Sequence, residues 1–254
     1  MADETVDGGE VIVAEESREK LDDLTYLPSV SDVQQAFPYA DEGQRMIGNV
    51  PEFKRYMAEK GIFQLSTQEF VTDLAHQVAE LSEGEEINVL EVGAGGGALG
   101  HHLRKELERQ HPGRQVSVRL TDDKSYGKGE DYKNIKPAFD AEVEEVDSRV
   151  AVGQVDRPTI VVSSWMPDQE DWTPDFRANP NVVAYVLIGD PSVTGGREEM
   201  WNGTPEGFRV EDWSNPYGVH LKGNLSMADN TPHYVSQRGA ISNASVRVFV
   251  RESK

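Results

Sequence analysis

The chain has 254 residues, of which 37% are hydrophobic, enough for one large domain with a substantial core. Its 45 acidic against 25 basic residues give a net charge of -20, a surface that repels phosphate backbones and anionic lipid, so nucleic-acid and membrane partners are not expected. There is no cysteine, which excludes disulfides, thiolate metal sites and a cysteine nucleophile.

Residues 1–23 carry nine acidic and two basic side chains and few large apolar ones, which reads as a flexible acidic tail. The start lacks the basic-then-apolar pattern of a signal peptide, and no run approaches about 20 apolar residues, so a cytoplasmic protein is expected. Residues 24–84 read as a helical N-terminal cap. In "PEFKRYMAEKGIF", Pro51 opens a helix, Phe53, Tyr56 and Met57 share a face, and Gly61 ends it. In "STQEFVTDLAHQVAELSEG", Ser66 and Glu69 have capping-box spacing. Phe70, Leu74, Val78 and Leu81 form the apolar stripe, and Gly84 marks the stop.

From Ile87 the texture changes. "INVLEV", "VSVRL", "TIVVSSW" and "VVAYVLIG" read as strands, the last two buried on both faces as in a parallel sheet. Ala98, Leu99, His102, Leu103 and Leu107 mark a helix that ends near Pro112-Gly113. This alternation predicts an α/β fold over residues 85–254: a Rossmann-like, doubly wound, mostly parallel sheet. "HYVSQRG" and "SVRVFVR" are expected to form a C-terminal antiparallel hairpin on its edge.

Between the first strand and the first helix of this region lies "VLEVGAGGGALG". Its glycines would bring peptide N–H groups and a helix N-terminus close to a ligand. Gly93-x-Gly95-x-x-Ala98 fits a dinucleotide-binding spacing, and Gly93-x-Gly95-x-Gly97 preceded by Glu91 fits a second pattern. Glu91, at the carboxyl end of a buried strand, would repel a pyrophosphate and suits a cation or a set of donors.

With Glu91 included, the stretch resembles motif I of the class I S-adenosyl-L-methionine (AdoMet) dependent methyltransferases, acid-x-Gly-x-Gly-x-Gly. The resemblance covers roughly residues 85–251 and leaves out the N-terminal layer. It implies AdoMet as cofactor, with Glu91, Gly93, Gly95 and Gly97 against its amino acid portion. It implies that an acid ending the second strand binds the ribose hydroxyls. "VSVRLTDD" offers Asp122, the favoured one, and Asp123, although two adjacent acids also read as the start of a solvated loop. Near the adenine the family has an acidic or polar residue, for which Asp147 and Ser148 are candidates in a segment that reads equally as a solvated charge run.

The fourth strand leads into Ser163-Ser164-Trp165-Met166-Pro167, where many members have Asn/Asp-Pro-Pro-aromatic. That departure argues against methylation of amino nitrogens on DNA bases or amides. Ser164 is placed among the cofactor contacts, and Trp165, Met166 and Pro167, with Asp190 after the fifth strand, along the substrate site. Trp165 reads as an electron-rich wall or as a core aromatic, and Trp172 and Trp201 as a substrate lid or as helix packing. His220 and His233 are candidate bases should the acceptor need one, while His101 and His102 read as helix packing and surface. No spacing forms a metal site. The activity implied is methyl transfer from AdoMet to a small-molecule substrate, with residues 24–84 and a 190–232 insertion covering the pocket. Three other readings stay open: other AdoMet chemistry, such as cyclisation or aminocarboxypropyl transfer; a nicotinamide-dependent oxidoreductase; and a non-catalytic binding protein.

Overall fold

A computed structural model describes residues 8–37, 50–60, 64–125, 139–167, 169–189, 196–197, 199–212, 225–226 and 245–252. Gly8–Asp22 forms helix α1, where the acidic composition led to the expectation of a flexible tail. The physical reason is local. Ser17 and Leu21, one turn apart, are buried, and Arg18 between them reaches three partners. Its Nε donates to Ala36 O at 2.7 Å, its Nη1 pairs with Glu52 at 2.6 Å, and its guanidinium lies 5.3 Å from the Phe37 ring centre. Helix α2 (Val30–Ala36) begins with a true capping box between Ser29 and Asp32. Helix α3 (Val50–Lys60) supplies Phe53, which meets Phe37 edge-on at 5.2 Å. Leu21, Val33, Ala36, Phe37, Phe53 and Leu65 thereby form a small core of their own.

Strand β1 (Gln64–Leu65) leads into helix α4 (Gln68–Leu81). Its cap is Thr67, whose Oγ1 accepts from Phe70 N at 3.4 Å, rather than Ser66 one residue earlier. Glu69 takes no part in a box: its Oε2 accepts from Val30 N at 2.9 Å and so holds the start of α2. The apolar stripe of α4 (Phe70, Leu74 and Val78, with Val71 and Ala75) is buried in the same cluster as Ile87 and Val89 of the sheet. This helix therefore belongs to the sheet's own layer, and the separate N-terminal core ends before it.

The remaining elements alternate. They are β2 (Glu86–Val92), α5 (Ala98–Gln110), β3 (Gln115–Asp122), β4 (Val143–Glu145), α6 (Ser148–Gly153), β5 (Thr159–Ser164), α7 (Thr173–Ala178), β6 (Val182–Gly189), α8 (Glu199–Asn202), β7 (Phe208–Asp212), β8 (Leu225–Ser226) and β9 (Ser245–Arg251). Among the described residues they build a seven-stranded sheet in the order β4-β3-β2-β5-β6-β9-β7. The first five strands are parallel, and β9 runs antiparallel to both its neighbours. A two-residue antiparallel pair joins β1 to β8. Helices α4 and α5 share one core with the sheet, centred on Val89, Leu103, Ile160 and Val186. The other face packs Val161, Leu187 and Phe249 against Ala151, Phe176 and Trp201 from α6, α7 and α8.

This is the doubly wound, mostly parallel architecture expected, with one change at the C-terminal pair. Among the described residues β9 has β7 as its antiparallel partner on the sheet edge, and "HYVSQRG" lies outside the described residues. Both ladders of β9 are already filled, from Ala184 to Gly189 on one side and from Phe208 to Asp212 on the other. Among the described residues no helix is long and apolar enough to cross a membrane.

Candidate functional site

Sheet order locates the site. From β2 the chain winds outward through β3 and β4 on one side, then returns to β5 and β6 on the other. The crevice of a doubly wound sheet opens at that reversal, beyond the carboxyl ends of β2 and β5. By this order of strands, the fold is that of the class I methyltransferases. The glycine loop follows β2 directly and so lies in the crevice.

Three loop residues, Gly93, Gly95 and Gly97, have φ of 67°, 54° and 77°, a region that only glycine enters cheaply. The turn is pinned by Ala94 N donating to Thr121 O at 3.0 Å and Gly97 N to Ala94 O at 2.8 Å. At Gly95 an added Cβ would meet nothing within 4 Å, so that face of the loop is open. Other glycines face protein. A Cβ on Gly93 would stand 2.9 Å from Cζ3 of Trp172, and one on Gly97 would stand 2.7 Å from Val143. Gly100, in the first turn of α5, is packed directly beneath the Glu91 carboxyl and Leu120.

Glu91 and Leu120 are register partners on β2 and β3, and Asp122, two residues beyond Leu120, points to the same α5 face. Glu91 is 2% exposed, and its Oε2 has no hydrogen-bond partner. Burial pushes its pKa up to about 8; the Gly100 N–H opposes this and the Asp122 charge adds to it. Asp122 Oδ2 accepts from Gly95 N at 2.8 Å, and Oδ1 from Lys124 N at 2.7 Å. Burial also raises the Asp122 pKa, against the pull of those two N–H groups. Two carboxyls in a desolvated corner, one of them with an unused oxygen, make a site for a cation or for hydroxyl donors.

The other candidates have these surroundings. Asp123 is exposed, with Oδ1 accepting from Ser125 N at 2.8 Å. Asp147 is also exposed and caps α6, its Oδ1 accepting from Arg149 N at 2.9 Å. Ser164 ends β5, half-buried and paired in register with Ile188. Trp165 follows at φ 56°, unusual for so large a side chain, with its N donating to Ile188 O at 2.8 Å. Met166 is buried in the lower core and Pro167 is exposed. Asp190, His220 and His233 lie outside the described residues. Trp201 is core, 3% exposed, and Trp172 rests half-buried on Gly93, so neither is an exposed lid. His101 stacks on Phe139 at 3.8 Å and its Nδ1 meets Glu142 Oε1 at 2.8 Å. Burial drives the pKa of His102 down to about 4, as suits a packed imidazole. Among the described residues no group of three or more His, Cys, Asp or Glu is placed to hold a metal.

Gly100, Thr121 and Ser163 escape the sequence patterns, and so does the seat of Trp172 on Gly93. Trp172 and Gly100 take their positions through approach across elements, which no local spacing records. Thr121 Oγ1 donates to Glu91 O at 3.1 Å and locks β3 to β2. Ser163 is buried on the opposite face, with its Oγ lacking a partner.

No family model and no curated protein matches this sequence. Several solved structures align with it. A protein from Corynebacterium glutamicum aligns over 85% of this chain and 93% of its own at 11% identity, with a TM-score of 0.42. The plantazolicin methyltransferase BpumL, in complex with SAH, aligns over 95% and 100% at 11% identity, TM-score 0.37. A SAM-dependent methyltransferase from Archaeoglobus fulgidus aligns over 79% and 99% at 12% identity, TM-score 0.36.

Proposed function

We propose that this chain is an AdoMet-dependent methyltransferase acting on a small molecule in the cytoplasm. One observation carries the reading: the unpartnered, buried carboxyl oxygen of Glu91, close enough to Asp122 to feel its charge, while Asp122 itself holds the N–H of Gly95, whose outer face is open. A pyrophosphate at this corner would face two carboxyls. The amino acid end of AdoMet brings an ammonium for Glu91, and its ribose brings hydroxyls for the remaining lone pairs of Asp122. When bound, AdoMet supplies a methyl group on a positively charged sulfur. The protein's part is to orient it: Gly95 admits the ligand, Glu91 and Asp122 fix its two polar ends, and the end of β5 at Ser164 and Trp165 borders the space for an acceptor. Alignment and exclusion of water carry much of such a transfer when the acceptor is already nucleophilic. The strongly acidic surface supports an acceptor that is not a polyanion.

The test is calorimetric. AdoMet is expected to bind and NAD(P) not to, and Glu91→Gln is expected to weaken AdoMet by roughly 1–3 kcal/mol through loss of one charge-assisted bond. Binding of NAD(P) in preference, or unchanged affinity in Glu91→Gln, rules the reading out. Formation of S-adenosylhomocysteine marks methyl transfer, whereas methylthioadenosine marks the alternative chemistry of the same cofactor.

A further inference from the structure

We propose that Trp172 makes this site selective for a sulfonium over the neutral thioether that remains after methyl loss; the inference rests on AdoMet being the ligand of the glycine loop. The indole comes from the far side of the crevice, at the start of α7, and its six-membered ring lies on Gly93. Its backbone is tied down. Trp172 O accepts from Asp175 N at 3.1 Å, and Asp171 Oδ1 accepts from Thr173 N at 2.9 Å and from Thr173 Oγ1 at 2.6 Å. Arg177 Nη1 donates to Thr173 Oγ1 at 2.6 Å. An indole on a fixed backbone, half-buried and seated on the loop, is an aromatic surface two residues from Gly95, a loop glycine with open space in front of it.

Gly93 and Gly95 are two residues apart, about 7 Å at most along the chain, so a ligand over Gly95 is within reach of the Trp172 ring. Glu91 and Asp122 border the same loop from β2 and β3, and Trp172 borders it from the β5 side. An ammonium belongs with the carboxyls. A cation further along the ligand meets the π-face, whose quadrupole attracts positive charge and is indifferent to a neutral sulfur. AdoMet and S-adenosylhomocysteine share the ammonium, the ribose and the adenine, and differ at the sulfur by one methyl and one charge. Their affinity ratio therefore isolates this contact from the one made by Glu91.

The experiment measures dissociation constants of both nucleosides by calorimetry for the full chain, Trp172→Phe and Trp172→Leu. The preference for AdoMet over S-adenosylhomocysteine is expected to fall about three- to thirtyfold in Trp172→Leu, the range of a cation–π contact, and by less in Trp172→Phe. Glu91→Gln is expected to weaken both nucleosides alike and leave their ratio unchanged. Equal losses for the two nucleosides in Trp172→Leu overturn the inference while leaving the cofactor reading intact. So does tighter AdoMet binding, which would make the indole an obstruction. Should Trp172→Leu fail to fold by circular dichroism, Trp172→Phe decides: an unchanged ratio overturns the proposal. If the unaltered protein binds neither nucleoside, the cofactor reading falls and this inference with it.

Discussion

Glu91 shows how one buried carboxyl can weigh on the fold. Its carboxyl titrates near 8 in the folded chain against 4.5 for an ordinary glutamate. The folded state therefore holds a proton that the unfolded chain releases. Its contribution to stability is full below about pH 4.5 and is lost as pH rises towards 8, at roughly 1.4 kcal/mol per unit. Glu91→Gln, neutral at every pH, is expected to melt above the unaltered protein at pH 9, with the gap closing towards pH 5. Thermal melts at the two pH values check it, and a gap that widens towards acid contradicts the assignment. The same carboxyl is readable from sequence, because its place at the end of an apolar run is a local property, and so is Asp122. The seat of Trp172 on Gly93 and the packing of Gly100 are not readable. What makes them matter is the distance to a partner far along the chain, and a lone tryptophan in "EDWTP" has the same local appearance whether it packs on a loop or faces water.

At the scale of elements, local periodicity carries far where burial is one-sided or complete. Helices α4 and α5 and strands β2, β5 and β6 follow the apolar patterns that predict them. Strand β7 does not, because "FRVED" interleaves charges with Phe208 and Val210, as an edge strand with one solvated side must. Helix α1 escapes for a related reason: acidic residues outnumber its few buried contacts. The antiparallel end of the sheet depends on Arg251 in β9. Its Nε donates to Val182 O at 2.8 Å, and its Nη2 donates to Asn179 O at 2.8 Å and Arg177 O at 3.1 Å. Its guanidinium also stacks 4.6 Å from the Phe208 ring centre of β7. Arg251→Met keeps much of the apolar stem but leaves three carbonyls without this donor, so it is expected to cost about 1.5–3 kcal/mol. Arg251→Lys, with a single ammonium in place of a planar fork, is expected to recover only part of that. Denaturant midpoints of the two variants give the comparison.

On the scale of the whole molecule, charge and connectivity dominate. A net charge of -20 on 254 residues sets the surface against itself. Most of its described ion pairs have at least one exposed partner, and those exposed on both sides, such as Arg55–Glu59 and Arg157–Asp156, contribute little. Screening should relieve the repulsion faster than it weakens those pairs. The melting temperature is therefore expected to rise as sodium chloride goes from about 0.01 M to 0.5 M, where the screening length falls from about 30 Å to a few ångströms. A fall over that range would mean that the pairs outweigh the net charge. The small N-terminal core and the sheet core, meanwhile, are stitched together through α4, whose Glu69 and Gln68 grip the start of α2 and Leu27 while its other face lies in the sheet core.

The placement of β9 between β6 and β7 also sets an order of events during synthesis. Strand β7 leaves the ribosome well before β9, yet its sheet neighbour is β9. Until the chain has been made through Arg251, β6 carries a bare edge of buried-type residues and β7 has nothing to join. The parallel half can assemble as it emerges, whereas the antiparallel half must wait for the last strand to arrive and be inserted between two waiting neighbours. A nascent chain halted just before Ser245 would thus display the sticky flank of β6, the species most prone to capture by a chaperone or to clumping with its own kind.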